Sequence, residues 1–331
     1  MKFRILAALF AALALIATAC GGDTESAVEA AAAEAEEAFE AAEADGDDDA
    51  MEDDESDDAM ADDDAIADDV ADDDITRIVS LSPTATEMLF AVGAGDLVVA
   101  VDSFSNFPAE APITDLSGFE PNVEAIAAFE PTLVVSSFPV EGLDAIGIEN
   151  MILPAAVTFD DVYAQIEQVG VATGYVGDAA EVVANMQSDI DAVLASLPER
   201  EVALTYYHEL DPTLFSVTSN TFIGQVYTML GLENAIDPAD PDGAAFGFPQ
   251  ITEEFLITAD PDVIFLADTI CCGESAETVS ARAGWDQLSA VQNSNIIELN
   301  DDIASRWSPR LVEFIETVGN AIAAIDAVPA N

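Results

Sequence analysis

The sequence predicts an α/β protein of two lobes, each built on a mainly parallel sheet, with a long spine helix joining them and a ligand cleft between. Three observations predict this. Apolar runs such as Arg77-Ile-Val-Ser-Leu81 alternate with helical segments, the order of parallel strands covered on both faces. Val182, Val183, Met186, Ile190, Val193, Leu194 and Leu197 keep a helical spacing from Asp178 with no break until Pro198. Finally, one stretch echoes another. Glu124-Ala-Ile-Ala-Ala-Phe-Glu-Pro131-Thr-Leu-Val-Val and Glu254-Phe-Leu-Ile-Thr-Ala-Asp-Pro261-Asp-Val-Ile-Phe share a glutamate, a short helix, an acid-Pro pair at one offset and an apolar strand. A weaker echo relates Thr84–Gly93 to Thr221–Gly231, and matched lobes on a spine imply a cleft.

Taken in order, the chain opens with clustered basic charge at Met1–Arg4 and an apolar run from Ile5 to Thr18, too short for the roughly 20 residues of a transmembrane helix. Ala17-Thr-Ala-Cys20-Gly21 resembles a bacterial lipobox, with Ala17 standing where such signals usually carry Leu. Residues 1–19 are therefore expected to be a lipoprotein signal peptide and Cys20 the lipid attachment point, tying the protein to the outer face of the cell membrane.

Residues 20–75 are dominated by Ala, Asp and Glu, with Phe39 as their one aromatic and neither Lys nor Arg. Such composition buries too little apolar surface to offset the entropy of ordering, so this stretch reads as an acidic, disordered tether. A flexible chain of its length spans roughly 40 Å, and more when it repels itself.

The formal charge of −59 excludes nucleic acid as a partner, because phosphate binding requires arrays of Lys and Arg. From Thr76 onward the basic residues are Arg77, Arg200, Arg282, Arg306 and Arg310. So acidic a surface suits high ionic strength.

The lobes follow. Residues 76–176 form the N-terminal lobe: strand 77–81, a helix over 83–92 begun by Ser82 with Pro at its first position, strand 97–101, a short helix over 122–129, strand 132–136 and a helix over 160–173. Residues 177–198 are the linking helix. Residues 199–331 form the C-terminal lobe, with strands at 202–206, 263–266 and 296–299 and helices near 221–230, 252–258, 285–291 and 309–325.

Arg77-Ile-Val-Ser-Leu-Ser-Pro-Thr-Ala-Thr-Glu-Met-Leu-Phe-Ala-Val-Gly-Ala-Gly, then Val101-Asp-Ser-Phe-Ser-Asn-Phe-Pro108, then Pro121-Asn-Val-Glu-Ala-Ile with Glu130-Pro-Thr-Leu-Val-Val, closely resembles the helical-backbone (class III) substrate-binding proteins of ferric-siderophore, haem and vitamin B12 importers. The resemblance implies Rossmann-like lobes and an extracytoplasmic, monomeric protein that delivers a corrinoid or ferric-siderophore complex to an ABC permease dimer. Haem is the alternative cargo. It implies no catalysis and no cofactor of the protein's own, since any iron or cobalt belongs to the ligand. By motif position it also implies that Glu124 and Glu254 are the surface glutamates that pair with arginines of the permease.

Open α/β sheets bind ligands beyond the carboxyl ends of their strands. That rule places Ser82, Thr84, Ser103, Phe104, Ser137 and Phe138 in the cleft from the first lobe, and Tyr207, His208 and Glu209 from the second. Phe246 and Phe248, in a Gly-rich loop, and Trp307 are candidate apolar walls. His208, the one histidine, is open to two readings: a ligand to haem iron or cobalt, or an ordinary hydrogen-bonding side chain. Its solitude argues against a zinc or manganese site. Arg306 and Arg310 are candidates either to hold an anionic group or to pair with the protein's own carboxylates. Adjacent Cys271 and Cys272 are open to a vicinal disulfide or to two thiols, and the acidic loop 237–243 reads as a turn.

Rival classes have less support. The chain has no Gly-x-Ser-x-Gly elbow and no phosphate-binding loop, and one histidine leaves little for acid–base chemistry, which disfavours a secreted hydrolase. A surface adhesin would leave the paired lobes and paired glutamates without a purpose.

Overall fold

The computed structural model describes residues 75–326. The signal segment, Cys20 and all but the last residue of the tether lie outside the described residues. Strand β1 (Ile78–Leu81) is buried along its whole length and leads into α1 (Pro83–Ala91), where the Ser82 hydroxyl caps the helix by accepting from the Ala85 amide. Next come β2 (Val98–Asp102), β3 (Ile113–Leu116), α2 (Val123–Ala127), β4 (Leu133–Ser136) and β5 (Glu149–Ile152). These five strands are all parallel, in the order β3-β2-β1-β4-β5.

Helix α3 (Phe159–Thr173) starts at a capping box between Thr158 and Asp161 and stops at Gly174, whose φ of 81° suits glycine. The spine is α4 (Val176–Ser196), which begins slightly ahead of the expected Asp178. The second half comprises β6 (Thr205–Glu209), α5 (Phe222–Met229), β7 (Glu233–Asn234), α6 (Glu253–Ala259), β8 (Val263–Leu266), α7 (Ala276–Ser280), α8 (Ser289–Gln292), β9 (Ile296–Glu298), α9 (Asp301–Ala304) and α10 (Leu311–Asp326). Its sheet is also parallel, in the order β7-β6-β8-β9.

Strands β3, β5 and β7 were not expected from the sequence. They are short edge strands with exposed residues along them, so they lack the continuous apolar run that marks a strand covered on both faces. The helix expected over 285–291 is instead a 3-10 turn at Trp285–Gln287 followed by α8, because Leu288 is extended between them.

The internal echo has a structural counterpart. Asn122 and Thr252 cap α2 and α6, and Glu130 (φ 50°) and Asp260 (φ 45°) take left-handed backbone just before Pro131 and Pro261. Thr132 then accepts from the Arg77 amide (3.2 Å), and Asp262 accepts from the Thr205 amide (2.9 Å), tying β4 to β1 and β8 to β6 in the same way.

The two sheets share one core. Its largest apolar cluster runs from Ile78, Val101 and Leu133 through Met186 and Ile190 of α4 and Phe314, Ile315 and Val318 of α10 to Tyr206, Val263 and Phe265. Each such side chain contributes about 1.5–3 kcal/mol on burial. Helices α4 and α10 pack closely at Gly319, where a Cβ would lie 2.7 Å from Val193 Cγ1. Among the described residues no helix is long and apolar enough to cross a membrane.

Candidate functional site

A cavity of about 420 Å³ lies where the segment after β5 meets the second half of the chain. Ala155–Val157 form one side. Leu210, the start of α5 at Thr221–Ile223, Phe246, Phe248, Ala304–Trp307, Leu311 and Phe314 form the rest. The lining is mostly apolar, with Asn220, Thr221, Ser305 and Arg306 as its polar residues. The Trp307 indole Nε1 is buried and has no hydrogen-bond partner among the described residues.

The phenylalanine wall is shaped by the acidic loop. Asp240 accepts from the Ala245 amide (2.9 Å) with one carboxylate oxygen and from the Gly247 amide (2.9 Å) with the other, while Asp237 holds Ser219. Gly247 has φ 86°, and a Cβ there would sit 2.6 Å from Thr221 Cγ2, so only glycine fits between Phe246 and Phe248.

The opposite wall is held by charge. Arg306 is buried and donates to Glu87 (2.8 Å), Asp302 (2.6 Å), Asn106 (3.0 Å) and the Phe104 carbonyl (3.3 Å). Arg310 donates to Glu87 as well (3.3 Å) and lies over the Phe107 ring, 3.9 Å from its centre. Both arginines thus pair with the protein's own carboxylates.

The periplasmic binding protein family model matches residues 78–303. The chain belongs to that family. Like other members it is a substrate-binding protein, with two parallel-sheet α/β halves. It is 29% identical over 274 residues to the uncharacterized ABC transporter substrate-binding lipoprotein YvrC of Bacillus subtilis, covering 77% of this chain and 84% of that one. It is likewise 29% identical over 264 residues to a cobalamin-binding protein of Halobacterium salinarum, covering 76% and 70%. Two solved folds resemble it: the periplasmic vitamin B12 binding protein BtuF of Vibrio cholerae (TM-score 0.61, 24% identity, 76% of this chain and 98% of that one) and the periplasmic heme binding protein HutB of the same species (TM-score 0.66, 21%, 74% and 98%).

Within this family frame the expected site residues divide. Phe246, Phe248, Arg306 and Trp307 come together at the cavity. Tyr207, His208 and Glu209 do not: all three are completely buried, because β6 is an inner strand covered on both faces to its carboxyl end. His208 Nδ1 lies 2.7 Å from the Tyr227 hydroxyl, and burial pushes its pKa down to about 3, so it is a neutral side chain of the core, away from the cavity.

Glu209 takes two bonds from Arg282 (2.6 and 2.7 Å) and one from the Tyr207 hydroxyl (3.0 Å). Asp268 is buried nearby, and neither of its oxygens meets a donor among the described residues. Burial first, and then the charges of Glu209 and Glu274, push its pKa up to about 8.

Ser82 and Thr84 are buried at the start of α1, and Ser137 donates to Ser82 (3.0 Å). Ser103 is exposed, as are Phe104 (59%) and Phe138 (61%) on the loops that follow β2 and β4, but none of them lines the cavity. The Phe104 ring meets Phe119 edge-on at 6.2 Å. Glu124 and Glu254 are exposed in the first turns of α2 and α6. Cys271 and Cys272 are joined by a bond of 2.36 Å, in a loop whose Thr269, Ile270 and Cys271 amides all donate to Asp301.

Sequence reasoning missed Ala155–Val157, Asn220–Ile223, Leu311, Phe314, Glu87 and Asp240. The Thr221 cap followed by Phe222 and the Asp-Pro-Asp-Gly run before Phe246 were the available signals for two of these groups.

Proposed function

We propose that this chain is a lipid-anchored, extracytoplasmic binding protein that delivers a corrinoid to an ABC importer. The observation that carries the cargo is that Arg306, the arginine lining the cavity, is already paired with carboxylates of the protein itself. Arg77 is held by the carbonyls of Phe129 and Glu130, Arg200 by that of Ile322, Arg282 by Glu209, and Arg306 and Arg310 by Glu87. A highly anionic ferric catecholate, or the two carboxylates of haem, would meet at this cavity an arginine, Arg306, whose charge is already taken by Glu87 and Asp302, and burying an unpaired anion is costly. A neutral corrinoid brings no such anion, and the aromatic walls suit its apolar faces. The Halobacterium relative named for cobalamin supports the same reading.

Cys20 anchors the chain, residues 20–75 give it reach, and Glu124 and Glu254 dock it on the permease dimer. The lobes on either side of α4 enclose the ligand as a monomer. Thermal unfolding with cyanocobalamin, haem and ferric hydroxamates tests the cargo. Cyanocobalamin at a hundred times its Kd adds about 2.7 kcal/mol of stability, and the others add little. A shift with haem or a ferric siderophore alone overturns the corrinoid, and no shift with any overturns the binding role.

A further inference from the structure

Trp307 is gripped on both sides by one carboxylate from the other half of the chain. Arg306, just before it, donates to Glu87 Oε1 at 2.8 Å, and Ser308, just after it, donates its hydroxyl to Glu87 Oε2. Arg310 adds a third bond to Oε1 at 3.3 Å. Glu87 belongs to α1, which packs on the first sheet, whereas residues 306–310 link α9 to α10 beyond the second. Glu87 and Arg306 are both buried, so neither bond is exchanged readily for water.

Arg306 extends the grip. Through Asn106 and the Phe104 carbonyl it holds the loop after β2, and Asn106 in turn donates to Asp302 at 2.8 Å. One carboxylate therefore sets the segment that brings the Trp307 ring to the cavity, and links that segment to the opposite half. Glu87 itself does not line the cavity.

We infer that Glu87 is a positioning residue for ligand binding: through Arg306, Ser308 and Arg310 it fixes the Trp307 wall of the cavity from the opposite half of the molecule. A surface pair would leave the wall to choose among rotamers. A buried carboxylate with three donors leaves one arrangement in which every donor is satisfied. The inference rests on the reading of this cavity as the ligand site, and its test separates the two.

The chain has two tryptophans, and Trp285 lies in a separate apolar cluster with Tyr207. Full-length protein labelled with 5-fluorotryptophan thus gives two fluorine resonances, assigned with Trp307→Phe. Glu87→Gln is expected to move or broaden the Trp307 resonance, leave the Trp285 resonance in place, and weaken cyanocobalamin binding by about tenfold or more. Glu87→Asp restores both in part. Unchanged Trp307 resonance and unchanged affinity in Glu87→Gln overturn the inference, and so does a joint shift of both tryptophans, which marks a merely structural role. If Glu87→Gln does not fold, Ser308→Ala and Arg310→Gln each remove one donor and are judged by the same resonances. Should wild-type protein not bind cyanocobalamin, the corrinoid reading fails while the fluorine spectra still decide this one.

Discussion

Glu124 and Glu254 occupy one position in two copies of a single structural unit: each is exposed in the first turn of a short helix, ahead of an acidic residue in left-handed backbone and a proline. A pair of equivalent carboxylates fits a permease with two equivalent halves. Ion pairs of this kind set orientation, and losing one worth about 1.4 kcal/mol is a tenfold effect. Reversing both charges (Glu124→Arg with Glu254→Arg) should cut corrinoid uptake by cells carrying the cognate importer by about tenfold or more. Stability should stay within about 0.5 kcal/mol, as for other surface changes, and cyanocobalamin affinity should not move.

Asp240 governs the phenylalanine wall. Asp240→Ala removes two charge-assisted hydrogen bonds and frees the Ala245 and Gly247 amides. Bonds to charged groups are worth about 1.5–3 kcal/mol each, so titration calorimetry should report at least a tenfold loss of ligand affinity. The same two bonds are worth roughly 6 °C or more of melting temperature, and a transition that stays cooperative at that lower temperature would show that the loop, rather than the fold, is what changed.

Asp268 makes stability fall as pH rises. Its folded pKa of about 8 lies above the ordinary 3.8, so between these values the native state holds a proton that the unfolded chain has released. That contribution is complete below about pH 4 and lost by about pH 8. Asp268→Asn mimics the protonated form. Melting curves across this range should therefore show the variant level with wild type at pH 4 and progressively more stable up to pH 8. The difference at pH 8 should reach at least the roughly 2–4 °C that 1 kcal/mol is worth in a domain of this size.

His208 acts with the opposite sign. Its folded pKa of about 3 lies below the ordinary 6.5, so the unfolded chain takes up a proton that the native state refuses, and stability falls as pH drops from 6.5 towards 3. His208→Gln should narrow that acid loss in the same melting experiment, read as a difference from wild type. Being sealed in the core, His208 should also be spectroscopically silent: adding haem or aquocobalamin should give visible spectra indistinguishable between His208→Gln and wild type.

The fold was legible because its signals are local. Ser82 before Pro83, the unbroken spacing behind α4, and the repeated acid-Pro pair each act within a few residues of themselves. The site was legible only where a residue type betrays itself, as with Trp307 between two arginines and Phe246 and Phe248 around a glycine. Tyr207–Glu209 were misplaced because the strand-end rule gives the edge of a sheet but not the depth of its central strand. The pairing of Glu87 with Arg306 joins residues from opposite ends of the domain, and no periodicity or spacing announces it.

The arginines carry a last implication. With Arg77, Arg200, Arg282, Arg306 and Arg310 all turned to interior or backbone partners, the described domain meets its surroundings as a polyanion. Its neutralisation is left to dissolved cations, so its approach to any charged surface is tuned by the medium. Close to an anionic bilayer such a body is pushed outward, and the more strongly the lower the salt.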